Sequence, residues 1–173
     1  MTARKRIGPI GGAEETRRIL RHWHEDVPND RLAHLVKDAS RAFVRALKAR
    51  LDPRGVPFGH WTFLRILWEA DGLTQRELSA EAGVMEPTTH VALNAMEALG
   101  YIRRRRRPAN RRNVYVYLTA KGRALKSTLV PLAEDVNRIG VDGIAGSDVA
   151  TARRVLVAII DNLARSENVT TQR

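Results

Sequence analysis

Between Leu73 and Gly122 the apolar pattern switches from a helical period to strict alternation, and glycines stand at the breaks. This switch constrains the fold more than any other feature, because two short helices must lead straight into an antiparallel hairpin. Thr74-Gln75-Arg76-Glu77 reads as a capping box, in which Thr74 accepts from the Glu77 backbone N–H and Glu77 reaches back to that of Thr74. Leu78 and Ala82 then share an inward face, and Gly83 ends the helix in a left-handed conformation. Pro87 suits the first turn of the second helix. The period of that helix predicts Thr89, Ala92, Leu93, Met96 and Leu99 inside, with Thr88, His90, Val91, Asn94 and Ala95 outside, and Gly100 closes it. A short helix, a glycine turn and a second helix with a small, polar outer face make a helix-turn-helix.

The hairpin is the more specific half of the stretch. Ile102 begins one strand; Val114, Val116 and Leu118 alternate inward on the other, and Tyr115 and Tyr117 outward. The tip, Arg107–Asn113, is flanked and filled by arginine, and seven arginines fall within Arg103–Arg112. A charge run is ordinarily a solvated face. Here no acid interrupts the run, and repulsion among the guanidinium groups costs stability unless a polyanion relieves it. An arginine-tipped hairpin directly after a helix-turn-helix predicts a wing that reaches DNA phosphates and the minor groove.

These residues resemble the MarR-type (multiple antibiotic resistance) winged-helix regulators. The matching motifs are Leu73-Thr74-Gln75-Arg76-Glu77-Leu78 and Met96-Glu97-Ala98-Leu99-Gly100-Tyr101-Ile102. The family's wing pattern appears as Asn110-Arg111-Arg112, followed by Val116, Leu118, Thr119 and Gly122. The resemblance covers residues 31–165 in element order and 60–125 in motifs. It implies a dimeric bacterial transcription factor whose terminal helices dimerise and whose DNA affinity is often set by a small ligand. The family's wing aspartate is Asn110 here, so an ion pair steadying Arg112 becomes at best a neutral hydrogen bond.

With 173 residues the chain is long enough for one core with helical extensions. Its net charge of +11 points to a polyanionic partner. No apolar run approaches the roughly 20 residues of a spanning helix, and the basic amino terminus has no apolar segment behind it, so neither membrane nor export is expected. The absence of cysteine excludes disulfides, thiolate zinc and thiol redox sensing, which some members of the family use. A cytoplasmic protein without cofactor or metal is expected.

The expected fold class is mainly α with a small β-hairpin wing: a winged helix-turn-helix domain flanked by N- and C-terminal dimerisation helices. Residues 1–30 form a basic arm and a short helix, about Glu14–Glu25, whose His22 and His24 point to different sides and make a poor metal pair. Pro28-Asn29-Asp30 breaks that helix and supplies the next N-cap. Residues 31–57 hold the first dimerisation helix, striped by Leu32, Leu35, Val36, Ala39, Phe43, Ala46 and Leu47. Residues 58–122 form the DNA-binding domain, starting with an almost wholly apolar helix over 59–70. Residues 123–173 supply two more dimerisation helices. The first, capped by Thr119, buries Leu125, Leu129, Leu132, Val136 and Ile139 and should bend at Pro131. A turn at Gly140, Gly143 and Gly146 leads to the last, capped by Ser147, with Val149, Ala152, Leu156, Ile159 and Leu163 inward. So much apolar surface exceeds what a lone protomer covers and predicts a homodimer.

The candidate DNA-contacting residues are Thr74, Gln75, Pro87, Thr88, Thr89, His90, Val91, Asn94, Arg107, Arg111 and Arg112. Enzymatic activity is not expected, since no nucleophile elbow, phosphate-binding glycine loop or His-Glu metal motif occurs. Two non-enzymatic classes compete: a site-specific regulator, with repression as the default, and a non-specific, nucleoid-type DNA packer. The outer face of the second helix favours the regulator, because it carries base-reading types and no lysine or arginine. The resemblance also implies a ligand pocket near Phe58, His60, Trp61, Arg65 and Trp68. These residues are either core or a seat for a small aromatic acid, stacked on Trp61 and held by His60 or Arg65.

Overall fold

The computed structural model describes the backbone of residues 12–24, 32–108 and 110–170. The chain divides into two compact units, Met1–Val136 and Asn137–Arg173. The expected arm, the break at Pro28-Asn29-Asp30 and Arg31 lie outside the described residues.

In the first unit, helix α1 (Gly12–His24) is tied to α2 (Leu32–Leu51) where Trp23 Nε1 donates to Asp38 Oδ2 at 3.2 Å. The side chains of His22 and His24 lie outside the described set. A 3-10 turn over Asp52–Arg54, with Gly55 left-handed at φ 67°, turns the chain into α3 (Phe58–Glu69). Helix α3 is the centre of the core: Phe63, Leu64 and Leu67 are almost wholly buried, as the all-round apolar composition predicts. Around it lie α4 (Gln75–Ala82), α5 (Glu86–Ala98) and the start of α6 (Ala120–Gly140). Each contributes fully buried residues: Leu78, Leu93 with Met96, and Leu129. Each such side chain stabilises the fold by about 1.5–3 kcal/mol relative to exposure. Leu99, expected inside, is exposed just beyond the end of α5, where the chain turns at Gly100.

Two strands form the wing, β2 (Ile102–Arg107) and β3 (Asn110–Leu118). A third, β1 (Leu73–Thr74), pairs with the other edge of β3, giving the antiparallel order β1-β3-β2. Leu73 opposes Val116, and Ile102 opposes Leu118. The register holds as far as Arg106 opposite Val114 and then slips, so that Arg107 opposes Asn110. Val116 and Leu118 are buried as expected, whereas Val114, near this bulge, is exposed.

Thr119 joins the wing to α6. Its backbone N–H donates to Tyr101 O at 3.0 Å, and its hydroxyl accepts from the Gly122 N–H at 3.1 Å. Arg50 grips α6 further along, with Nε and Nη2 donating to Asp135 Oδ2 at 3.2 and 3.1 Å. Pro131 lies inside α6 without ending it. In the second unit, Gly143 turns with φ 74° and α7 follows, Gly146–Thr170. Of the stripe expected on α7, Val149 and Ile159 are half-buried, whereas Ala152, Leu156 and Leu163 are exposed in the protomer.

Candidate nucleic-acid interface

The capping box forms as read. Glu77 Oε2 accepts from the Thr74 backbone N–H at 2.7 Å, and Thr74 Oγ1 accepts from the Glu77 N–H at 3.3 Å. The Thr74 contacts also hold the Glu77 carboxyl below the usual carboxylate range. Gly83 caps α4 at φ 62°, and α5 begins with Glu86 and Pro87. Inside the helix pair Ser79 Oγ lies 2.8 Å from Thr89 Oγ1, in a site where both side chains are buried.

That contact corrects one expectation. Thr89 is 0% exposed, so its side chain braces α5 on α4 and does not face a nucleic acid. The remaining expected residues of α5 do share an outer face. Pro87, Thr88, His90 and Asn94 are exposed, and Val91 is 69% exposed. Met85, just before α5, is 76% exposed on the same approach, and nothing in the helical period singles it out. Gln75, half-buried, places Oε1 3.3 Å from His90 Nδ1, so two expected contact residues from different helices meet. Thr74 is at hand too, but its hydroxyl is engaged in the cap. A groove of about 300 Å³ runs beside it, lined by Thr74, Gln75, Arg76, Asn113 and Val114.

The wing arginines divide by the partners they find. Arg103 and Arg105 are exposed, opposite Tyr117 and Tyr115. Arg107 folds back: its Nε donates to the Tyr117 hydroxyl at 2.8 Å and its Nη2 to Gly72 O at 2.9 Å. Its guanidinium carbon also stands 3.9 Å from the centre of the Tyr115 ring. The Tyr117 hydrogen bond raises its pKa further, so the cation is permanent. Arg107 therefore braces the wing through Tyr117 and Gly72 while the residue stays exposed at the surface. Arg104 is held too, by an acid absent from the run itself. Its backbone N–H donates to Glu97 Oε1 at 3.0 Å, its Nε lies 3.5 Å from Glu97 Oε2, and its Nη2 donates to Asn94 Oδ1 at 2.6 Å. Helical spacing could not have found this pairing, because it crosses the turn at Gly100. The side chains of Arg111 and Arg112 lie outside the described residues.

The proposed ligand cluster is largely core. Trp61 is 6% exposed and meets Trp68 edge-on, with centroids 5.7 Å apart, so little of its ring is open to stacking in the protomer. Trp68 Nε1 donates to Gly122 O at 3.0 Å. His60 is buried with no protein partner for Nδ1 among the described residues, and desolvation lowers its pKa by disfavouring the charged form. Phe58 is half-buried and Arg65 exposed. Among the described residues no group of acids and histidines could hold a metal ion, and no helix is long and apolar enough to cross a membrane.

Known proteins share this fold. The family model described as MarR family matches residues 54–113. The chain is 31% identical over 136 residues to the HTH-type transcriptional regulator TtmR of Methylorubrum extorquens (strain PA1). That match covers 79% of this chain and 65% of the relative's length. The crystal structure of transcriptional regulator PA3341 is 31% identical, with TM-score 0.70, over 77% of this chain and 98% of that one. Apo MarR from E. coli shares the fold at TM-score 0.68 and 23% identity, over 78% of this chain and 98% of that one.

Proposed function

The chain belongs to the MarR family of transcriptional regulators, and from that premise we propose that it is a repressor that binds a near-palindromic operator as a homodimer in the cytoplasm. Two α5 helices enter successive major grooves, with half-sites about 10 bp apart. The observation that carries this reading is the division of labour across the interface. Helix α5 has no lysine or arginine and exposes Thr88, His90, Val91 and Asn94, types suited to base edges and thymine methyls. The exposed cations stand beside it on β2, at Arg103, Arg105 and Arg106, where they suit phosphates. Arg111 and Arg112, at the hairpin tip in sequence, are of the type that suits phosphates and the minor groove, and take that role in this reading. A nucleoid-type packer would have its cations on the helix face itself.

Repression follows from occupancy of promoter DNA, and an effector relieves it by favouring a spacing of the two α5 helices that DNA does not accept. The effector is a small aromatic acid. Arg65, exposed on α3 one turn from Trp61 and Trp68, is the residue suited to hold its carboxylate. Selection from a random duplex library, followed by gel-shift titration against competitor DNA, tests the reading. We expect an enriched inverted repeat bound at least about 10³-fold more tightly than random sequence at physiological salt. Enrichment of no sequence over background would restore the packer. A thermal-shift screen of aromatic acids tests the effector, and a raised melting temperature that Arg65→Ala abolishes is the expected result.

A further inference from the structure

Resting on the operator reading above, we propose that Arg104 is a specificity-determining positioning residue: it caps the Asn94 carbonyl, and so leaves the Asn94 amide to choose guanine over adenine in the major groove. Asn94 stands exposed on the outer face of α5, one turn beyond His90 and Val91. An asparagine free to use both ends of its amide favours adenine, because Oδ1 accepts from N6–H while Nδ2 donates to N7. Here Arg104 Nη2 donates to Asn94 Oδ1 at 2.6 Å. A guanidinium carries donors only, so the atom it faces must be the oxygen, and the amino group must be the end left for a base.

The arginine does not depend on Asn94 for its position. Its backbone N–H donates to Glu97 Oε1 at 3.0 Å, its guanidinium is ion-paired with Glu97 at 3.5 Å although Nε makes no hydrogen bond, and its side chain is only 21% exposed. The β2 register adds a further constraint by placing it opposite Val116. A fixed cation beside the amide disfavours any base edge that points an amino hydrogen at it, which counts against adenine N6 and cytosine N4. Guanine presents two acceptors, O6 and N7, and thymine only one, O4. The Asn94 amino group and the cation behind it therefore fit guanine best.

The test is selection from a random duplex library with wild type, Asn94→Ala, Arg104→Met and the double variant, each monitored by thermal melting. In the wild type, the half-site position whose information Asn94→Ala erases should be guanine, preferred over adenine by about tenfold. Arg104→Met frees the carbonyl and should shift that position towards adenine by a comparable factor while the other positions keep their bases. The double variant should show neither preference. Adenine at the Asn94-dependent position in the wild type overturns the assignment. So does an Arg104→Met protein that binds every sequence proportionately more weakly, or an Asn94→Ala protein whose motif is unchanged. Should Arg104→Met melt too low to bind, the wild type and Asn94→Ala decide alone, guanine upholding the proposal and adenine overturning it. A wild type that enriches no motif removes the operator reading and this inference together, whereas a motif with the wrong base removes only the inference.

Discussion

At residue scale the tightest constraint is Gly122, on the first turn of α6. A Cβ there would stand 2.0 Å from Tyr101 O, which is itself held by the Thr119 N–H and hydroxyl at 3.0 and 3.2 Å. Gly122→Ala would gain roughly 1 kcal/mol of helix propensity. Against that, driving backbone from backbone costs at least the roughly 1–3 kcal/mol typical of overpacking. The clash wins, so the melting temperature should fall by several degrees, at about 2–4 °C per kcal/mol for a chain of this size. A melt at or above the wild-type value would show that α6 and the turn before β2 part freely. His60 gives a second prediction. Its folded pKa lies below the ordinary histidine value, so between the two the unfolded chain binds more protons and stability rises with pH. Stability is therefore complete above about pH 6.5 and declines as pH falls through the folded pKa. His60→Gln should flatten that decline in urea melts between pH 7 and 5; an unaltered slope would assign the pH dependence elsewhere. In sequence this burial shows only in the apolar surroundings of the residue, which left core and ligand seat both open. Thr89 and Arg107 show the same limit from the other side, since polar side chains that look available are engaged by partners distant in sequence.

At the scale of elements, most boundaries were legible because each has a local chemical cause: the Thr74–Glu77 box, the glycines at 83 and 100, and the alternation of Val116 and Leu118. Strand β1 was not, because two residues carry no period; Leu73 and Thr74 pair only because β3 offers them an edge. The slip at Arg106 and Arg107 was equally hidden, since register depends on the partner strand. Within the helix-turn-helix, the Ser79–Thr89 contact is the only polar link in an otherwise apolar interface among the residues described as buried. Ser79→Ala leaves the Thr89 hydroxyl buried without this partner and should cost about 1–3 kcal/mol. Adding Thr89→Val removes the stranded group, so the double variant should be less unstable than the two single losses summed. Strict additivity in denaturant melts would dissolve the link. On the wing, Arg105→Ala should leave the melting temperature unchanged and reduce the slope of log affinity against log salt by about 0.9. Arg107→Ala should do the reverse, lowering the melting temperature by releasing Tyr117 and Gly72. Identical effects of the two substitutions would return Arg107 to the phosphate-contacting set.

The whole molecule leaves two apolar surfaces uncovered, each seen in its own unit. On α2, Leu32, Leu35, Val36 and Phe43 are exposed although Leu47 and Leu51 further along are buried. On α7, Val155, Leu156, Val157, Ile160 and Leu163 are all exposed, and only Val149 and Ile159 are half-covered among the described residues. The helical period grouped the α2 residues as one stripe, but on α7 it left out Val155, Val157 and Ile160, which are exposed as Leu156 and Leu163 are. A second copy is the occupant the operator reading requires, because two recognition helices must be held at a fixed distance. Burial of even a few of these side chains contributes about 1.5–3 kcal/mol each, enough to offset part of the roughly 4–15 kcal/mol that association costs. Leu156→Glu would place an uncompensated carboxylate in that interface at a cost of several kcal/mol. Leu156 belongs to the second unit and the buried core around α3 to the first, so far-ultraviolet circular dichroism should change little. Sedimentation should show a dimer for the wild type at micromolar concentration and a monomer for the variant, which loses operator binding while its winged fold persists. A wild-type chain that sediments as a monomer would remove the homodimer, and with it the spacing of about 10 bp between half-sites.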